Sequence, residues 1–155
     1  MIVSSLGNIE LLKLHKTAFL CSRKIPASVV LKCYDWAIEQ RNMGNCVISG
    51  FHSKIEKDVF YYLLAGKQLI IMVLARGMKK RLEPEIKKAI DSADRLLIVT
   101  PFESSIKRVS SKTSAKRNQF MIELTDEIVI GHFREDGILS KSLEGYPKSK
   151  TVRFI

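Results

Sequence analysis

The sharpest change of hydrophobic period along the chain falls in residues 46–64. Cys46, Val47 and Ile48 make a short apolar run that reads as a strand, and Ser49-Gly50 breaks it. Apolar residues then return at helical spacing, at Ile55, Val59, Phe60, Leu63 and Leu64. Ser53 with Glu56 three places on is a capping-box pattern, so the helix is predicted to start at Ser53. A strand, a tight turn and a helix start make an anion-binding geometry. The first helical turn leaves backbone N–H groups unpaired, and the helix dipole adds partial positive charge. Gly50 has no side chain to keep a phosphate away from the backbone, and Lys54 adds a full charge. Such a turn also serves simply to reverse the chain, and on this stretch alone both readings stand.

The remaining pattern repeats strand and helix. Residues 1–15 are a lead-in, with Ile9, Leu11, Leu12 and Leu14 available for packing. Residues 16–21 read as the first core strand, ending in the basic loop Ser22-Arg23-Lys24. Pro26 suits the first turn of a helix that runs to about Met43, with Gly44 as its stop. Residues 68–74 are almost wholly apolar, as in a strand buried on both faces of a parallel sheet. Their exit loop, residues 75–81, is heavily basic. Glu83-Pro84-Glu85 opens another helix, and residues 96–99 are the fourth strand. Residues 100–114, polar and rich in Ser and Lys, read as the mobile loop. A helix over 113–124, a fifth strand over 127–131 and short edge strands over 137–140 and 151–154 follow. Strands alternating with helices imply right-handed crossovers. The expected fold is α/β, a Rossmann-like, mainly parallel sheet with helices on both faces. One domain over residues 1–155 is expected, with a core over 16–132 and an edge extension over 133–155.

Composition narrows the function classes. The 46% hydrophobic content suits a globular protein, and no apolar run nears the roughly 18 residues needed to span a bilayer. Met1-Ile2-Val3 before Ser4-Ser5 lacks the form of a secretory signal, so a cytoplasmic location and no membrane partner are expected. Cys21, Cys33 and Cys46 lack metal-ligand spacing and read as buried reduced thiols. No metal and no cofactor is expected. The formal charge of +10 points to a polyanionic partner. In a sheet of this kind ligands sit beyond the C-terminal ends of the strands. The predicted ends carry Arg23 and Lys24, Lys54, Arg76 and Lys79-Lys80-Arg81, then Lys107, Arg108, Lys112, Lys116 and Arg117. The cations thus collect on one rim.

Three segments in this order resemble the Rossmann-like domain of the DNA-processing DprA/Smf proteins, within the SLOG superfamily. Phe19-Leu20-Cys21-Ser22-Arg23 is similar to that family's first strand ending in Gly-Ser-Arg, with Cys21 in the glycine's place. Val47-Ile48-Ser49-Gly50-Phe51 followed by Ile55-Glu56 resembles its Ser-Gly, Arg-Gly, Ile-Asp turn and helix. Lys116-Arg117-Asn118-Gln119 resembles its Arg-Asn-Arg segment, with Gln119 in the last place. Where the family has Ala-Arg-Gly, this chain has His52-Ser53-Lys54; a lysine lacks the planar fork of arginine. The resemblance covers residues 16–132. It implies a stand-alone, divergent domain that binds single-stranded DNA without catalysis and hands it to a recombinase. It also implies phosphate contacts at Ser22, Arg23, Ser49, Gly50, Lys54, Lys116, Arg117 and Asn118, and a homodimer as a further assembly. Phe51 and Ser53 complete the candidate set.

Enzymatic readings find little support. The Lonely Guy phosphoribohydrolases, another SLOG branch, use a Pro-Gly-Gly-x-Gly-Thr loop, whereas residues 100–105 here hold no glycine. Cys21 and His52 are a conceivable nucleophile and base, with no third orienting residue in view. His15 and His132 stand alone, and no Walker A or G-x-G-x-x-G motif is present. Single strands need a basic groove and aromatic faces for stacking, for which Phe51, Phe102 and Phe133 are candidates if their rings do not turn inward. The expected function is non-enzymatic binding of single-stranded nucleic acid along the basic rim. The alternative is a sensor of a nucleotide or nucleotide-derived ligand in the same phosphate pocket.

Overall fold

The computed structural model describes residues 1–134, 137–144 and 150–155. Within the expected C-terminal extension, residues 135–136 and 145–149 lie outside the described residues. Seven strands form one sheet in the order β1-β5-β4-β3-β2-β6-β7. Here β1 is Ser4–Gly7, β2 Lys16–Leu20, β3 Cys46–Ser49, β4 Ile70–Val73, β5 Leu96–Thr100, β6 Glu127–Ile130 and β7 Thr151–Phe154. All pairings are parallel except β1 with β5. The fold is therefore the expected α/β, Rossmann-like one. Three parallel steps carry the chain outward from β2 through β3 and β4 to β5, and the next connection returns it to the other side of β2. Connections on the two sides of β2 thus diverge, and such a switch point leaves a crevice beyond the strand ends.

Alternation along each strand feeds two cores. Helices α1 (Ala27–Met43), α2 (Lys54–Leu64) and α3 (Pro84–Asp91) cover one face. Cys33, Ala37, Val59, Phe60 and Leu63 pack there on Phe19, Val47, Ile70 and Ile98. Helices α4 (Ser111–Leu124) and α5 (Ile138–Leu143) cover the other, where Phe120, Met121, Ile122 and Leu139 meet Ala18, Ile48, Ile71 and Ile128. Local signals place the ends. Gly44 closes α1 at φ 74°, and Ser53 and Glu56 close a complete capping box on α2.

Three expectations change. The lead-in joins the sheet as β1, where Gly7 at φ 109° brings its Cα so close that a Cβ would lie 2.2 Å from the Leu96 carbonyl oxygen. Residues 137–140, expected as an edge strand, instead open helix α5. Leu139 and Leu143 stand four apart against the α4 side of the sheet, and the Ser142 hydroxyl donates to the Ile138 carbonyl at 2.8 Å. The segment expected to be a free loop after β5 is fastened at its start. Thr100 donates to the Arg76 carbonyl, Phe102 N–H donates to Thr100 Oγ1, and Gly77 N–H donates to the Ile106 carbonyl. Helix α4 then begins at Ser111, capped by Ser110 and Thr113, two residues before the predicted start.

Among the described residues no helix is long and apolar enough to cross a membrane. The last two carbonyls of α2 meet one side chain. Arg95 donates from Nη2 to Leu63, from Nη1 to Leu64 and from Nε to Gln68, at 3.0–3.1 Å. Its fork ties α2 to the start of β5. Arg95→Ala is expected to lower unfolding free energy by about 2 kcal/mol in chemical denaturation, and Arg95→Lys to recover only part of it. A loss below about 0.5 kcal/mol would show that solvent satisfies these carbonyls equally well.

Candidate functional site

A cavity of about 670 Å³ opens at the switch point. Its walls come from the loop after β2, the start of α2, one face of α4, and Arg134 with the start of α5. It therefore lies where the topology leaves room, beyond the C-terminal ends of β2, β3 and β6.

The ten candidate residues separate here. Ser22, Arg23, Ser53, Arg117 and Asn118 line the cavity. The others do not, each for a visible reason. Ser49 is fully buried; its hydroxyl donates to the Phe19 carbonyl at 2.8 Å and accepts from Phe51 N–H at 3.3 Å. It fixes the turn. Phe51 takes φ 48° and turns its ring into the core, 4.8 Å from that of Phe60. Lys54 is exposed on the outer side of α2 and pairs with Asp58 at 3.3 Å. Lys116 stands on the adjacent face of α4, its ammonium 5.1 Å from the ring centre of Phe102, whose own side chain is buried. Phe133 is half-buried and packs on Phe154. None of the three candidate aromatics offers a free face to the cavity.

Gly50 makes room for a side chain. A Cβ at that position would lie 2.4 Å from Nη1 of Arg117 and 2.6 Å from its Cζ. The guanidinium lies flat against the bare backbone of the β3–α2 turn. It is 6% exposed, and Nε donates to Asn118 Oδ1 at 3.2 Å. Among the described residues no carboxylate comes within ion-pairing distance of it. Burial pulls its pKa below the usual arginine value, and the negative charge of Glu56 opposes that shift.

The amides just before α2 are already occupied. Glu56 is buried, and its carboxylate accepts from His52 N–H at 3.0 Å, Ser53 N–H at 3.1 Å and Cys21 N–H at 3.3 Å. Ser53 Oγ is likewise engaged, accepting from Glu56 N–H. The helix-start charge that attracts anions has been met by an internal anion. The correction follows from the capping box itself, because its acidic member folds back onto the turn. Side-chain charge gathers at the same opening. Arg23, Lys24, Arg117 and Arg134 line the cavity against the single carboxylate of Glu56. Sequence reasoning placed Lys24 on the rim but passed over Ser111, Ser114 and Arg134. The polar face of α4 was the signal for the serines.

Two titratable neighbours complete the site. His52 lines the cavity with its pKa lowered, first by burial and then by Arg117. Cys21 forms part of the floor, and its sulfur and that of Cys33 both lie beside Gly131. The neighbouring Cys33 thiol and burial push the Cys21 thiol far up. No group of three or more metal-ligating side chains occurs among the described residues.

The family model described as DNA recombination-mediator protein A matches residues 1–140. The chain belongs to that family. Its structure is similar to that of DNA processing protein A from Streptococcus pneumoniae, with a TM-score of 0.74, 17% identity and coverage of 97% of this chain and 53% of that one. DNA processing protein A from Helicobacter pylori, solved to describe a single-stranded DNA binding mode, matches with a TM-score of 0.63, 20% identity and coverage of 81% and 58%. A molybdenum cofactor binding protein from Rippkaea orientalis matches at 0.55 and 10% identity, over 91% and 77%. These low identities show the shared fold. The chain spans little more than half the length of the two DNA processing proteins. No curated protein sequence matches it.

Glu56→Gln tests the internal anion. The carboxamide can still accept from His52 and Ser53, but its NH₂ then faces the Cys21 N–H, donor against donor. Stability is expected to fall by about 2 kcal/mol in chemical denaturation. An unchanged midpoint would mean that the carboxylate does not hold the two turns together.

Proposed function

We propose that this protein binds single-stranded nucleic acid without catalysis, seating a backbone phosphate in the cavity and leading the rest of the strand along the basic rim. The observation that carries this reading is Arg117. A buried guanidinium with no ionic partner among the described residues, facing an open cavity, is costly unless an anion joins it. Arg23, Lys24 and Arg134 add charge at the same opening, and Ser22, Ser114 and Asn118 add hydrogen-bonding groups. Family membership supports the polyanion being DNA. From β2 across β3 and β4 to β5 is three strand spacings, about 14 Å, long enough for more than one phosphate. Exposed Lys79, Lys80, Arg81, Lys107 and Arg108 stand at the far end of that line. A cytoplasmic setting belongs to the same reading.

One observation favours a second reading, a free nucleotide. The cavity volume of about 670 Å³ is that of a small-molecule site, and α5 walls one side of it. Length dependence separates the two.

Fluorescence anisotropy with labelled oligonucleotides of increasing length tests the proposal. Affinity is expected to rise with length, and with about three phosphates engaged a fourfold rise in salt weakens it roughly 20-fold. Arg117→Ala is expected to cost roughly 10- to 100-fold, while a thermal melt confirms that the variant folds. Affinity that ignores both salt and Arg117→Ala would overturn the reading. Affinity equal for a mononucleotide and a long strand would favour the nucleotide.

His52 sets the pH dependence. Its pKa is lowered in the free protein, so it is neutral at pH 7. A bound phosphate favours the protonated imidazole, so binding takes up a proton. Affinity is therefore expected to rise as pH falls from 7 towards 5, by at most about tenfold per unit. His52→Gln should flatten that slope; an equal slope in the variant would place the linked proton elsewhere.

A further inference from the structure

Cys21 and Cys33 come from different elements, the end of β2 and the first half of α1, yet their sulfurs occupy one space. Gly131, at the end of β6, leaves that space open. A Cβ on Gly131 would lie 2.8 Å from the Cys33 sulfur and 3.0 Å from the Cys21 sulfur. Both sulfurs lie within 3.0 Å of that one point, so they are neighbours across a single gap that a bridge would close. Their exposure to solvent is unequal. Cys21 lines the cavity, whereas Cys33 is fully buried behind it. Cys46 lies on the opposite face of the sheet, among a different set of side chains.

We propose that Cys21 and Cys33 are a reversible dithiol–disulfide pair in the floor of the cavity, oxidised by hydrogen peroxide that enters through its mouth. The Cys21 sulfur takes an oxygen from the peroxide, the O–O bond breaks, and water leaves. This produces a sulfenic acid. The Cys33 sulfur then attacks that sulfur; the S–S bond forms, the S–O bond breaks, and hydroxide departs with the Cys33 proton as a second water. Two thiols and one peroxide become one disulfide and two waters. A dithiol reductant reverses the change by exchange. Burial and the neighbouring sulfur keep the Cys21 proton in place, which makes the first step slow, while the same contact lowers the pKa of Cys33 and suits it to the resolving attack. The cationic mouth, with Arg23, Lys24 and Arg117, favours the developing negative charge.

The bridge would act on the site directly. Cys21 precedes Ser22 and Arg23, and its N–H is one of the three that Glu56 holds. Drawing its sulfur to bonding distance of Cys33 shifts the loop that carries Arg23. Reduced affinity in the oxidised protein rests on the nucleic-acid reading above; formation of the disulfide does not.

The test treats the full chain with excess hydrogen peroxide, denatures it, and labels remaining thiols with a maleimide. Two of the three thiols are expected to disappear with a mass loss of two hydrogens. Digestion should yield a peptide pair joined through Cys21 and Cys33, and dithiothreitol should restore all three thiols. Cys33→Ser should instead give a dimedone adduct at Cys21, and Cys46→Ala should leave the bridge unchanged. The wild-type peptide map decides the matter even where a variant fails to fold. Three labelled thiols after treatment, or a bridge that includes Cys46, would overturn the proposal. A saturating oligonucleotide is expected to slow the loss several-fold. Equal rates with and without it, while the bridge still forms, would count against the cavity as the strand's seat and leave the disulfide standing.

Discussion

The site depends on one buried carboxylate. Glu56 gathers N–H groups from the ends of two neighbouring strands, Cys21 beyond β2 and His52 and Ser53 beyond β3. Without it three buried donors would face one another with no acceptor, and the two turns would have no common anchor. The same carboxylate cancels the helix-start charge that makes this kind of turn attractive to anions. The charge facing the cavity is then mainly that of side chains. The α2 terminus becomes structure, and Arg117, arriving from the opposite face of the sheet on α4, becomes the buried charge that faces outward.

Features encoded by neighbouring residues were legible in the chain. The apolar runs of β3, β4 and β5, the Gly44 stop and the Ser53–Glu56 box each depend on contacts within one turn or one strand. What the chain hid depends on residues distant in sequence. Gly50 looked like an opening for phosphate, but its missing side chain is filled by Arg117. Phe51 looked like a rim aromatic, and a left-handed backbone angle sends it inward to Phe60. Helix α5 was missed because a pair of adjacent apolar residues fits a strand as well as a helix. Of the ten candidate site residues, the ones that reach the cavity are those whose direction is set by β2, α4 or the cap of α2. Lys54 and Lys116 had the right charge and neighbourhood, but helical rotation points them elsewhere.

Family membership also explains an apparent misfit. In the resemblance the end of the first core strand carries glycine where this chain has Cys21. The structure accommodates the larger side chain because the adjacent strand supplies a glycine of its own. A Cβ on Gly131 would sit 3.0 Å from the Cys21 sulfur. The bare backbone at Gly131 leaves the space that the Cys21 sulfur fills.

The contact between Gly50 and Arg117 makes two distant positions behave as one. A side chain at 50 would have to displace the guanidinium from the turn, because the two would occupy the same space. The place of the guanidinium against the turn therefore depends on a residue far from it in the chain.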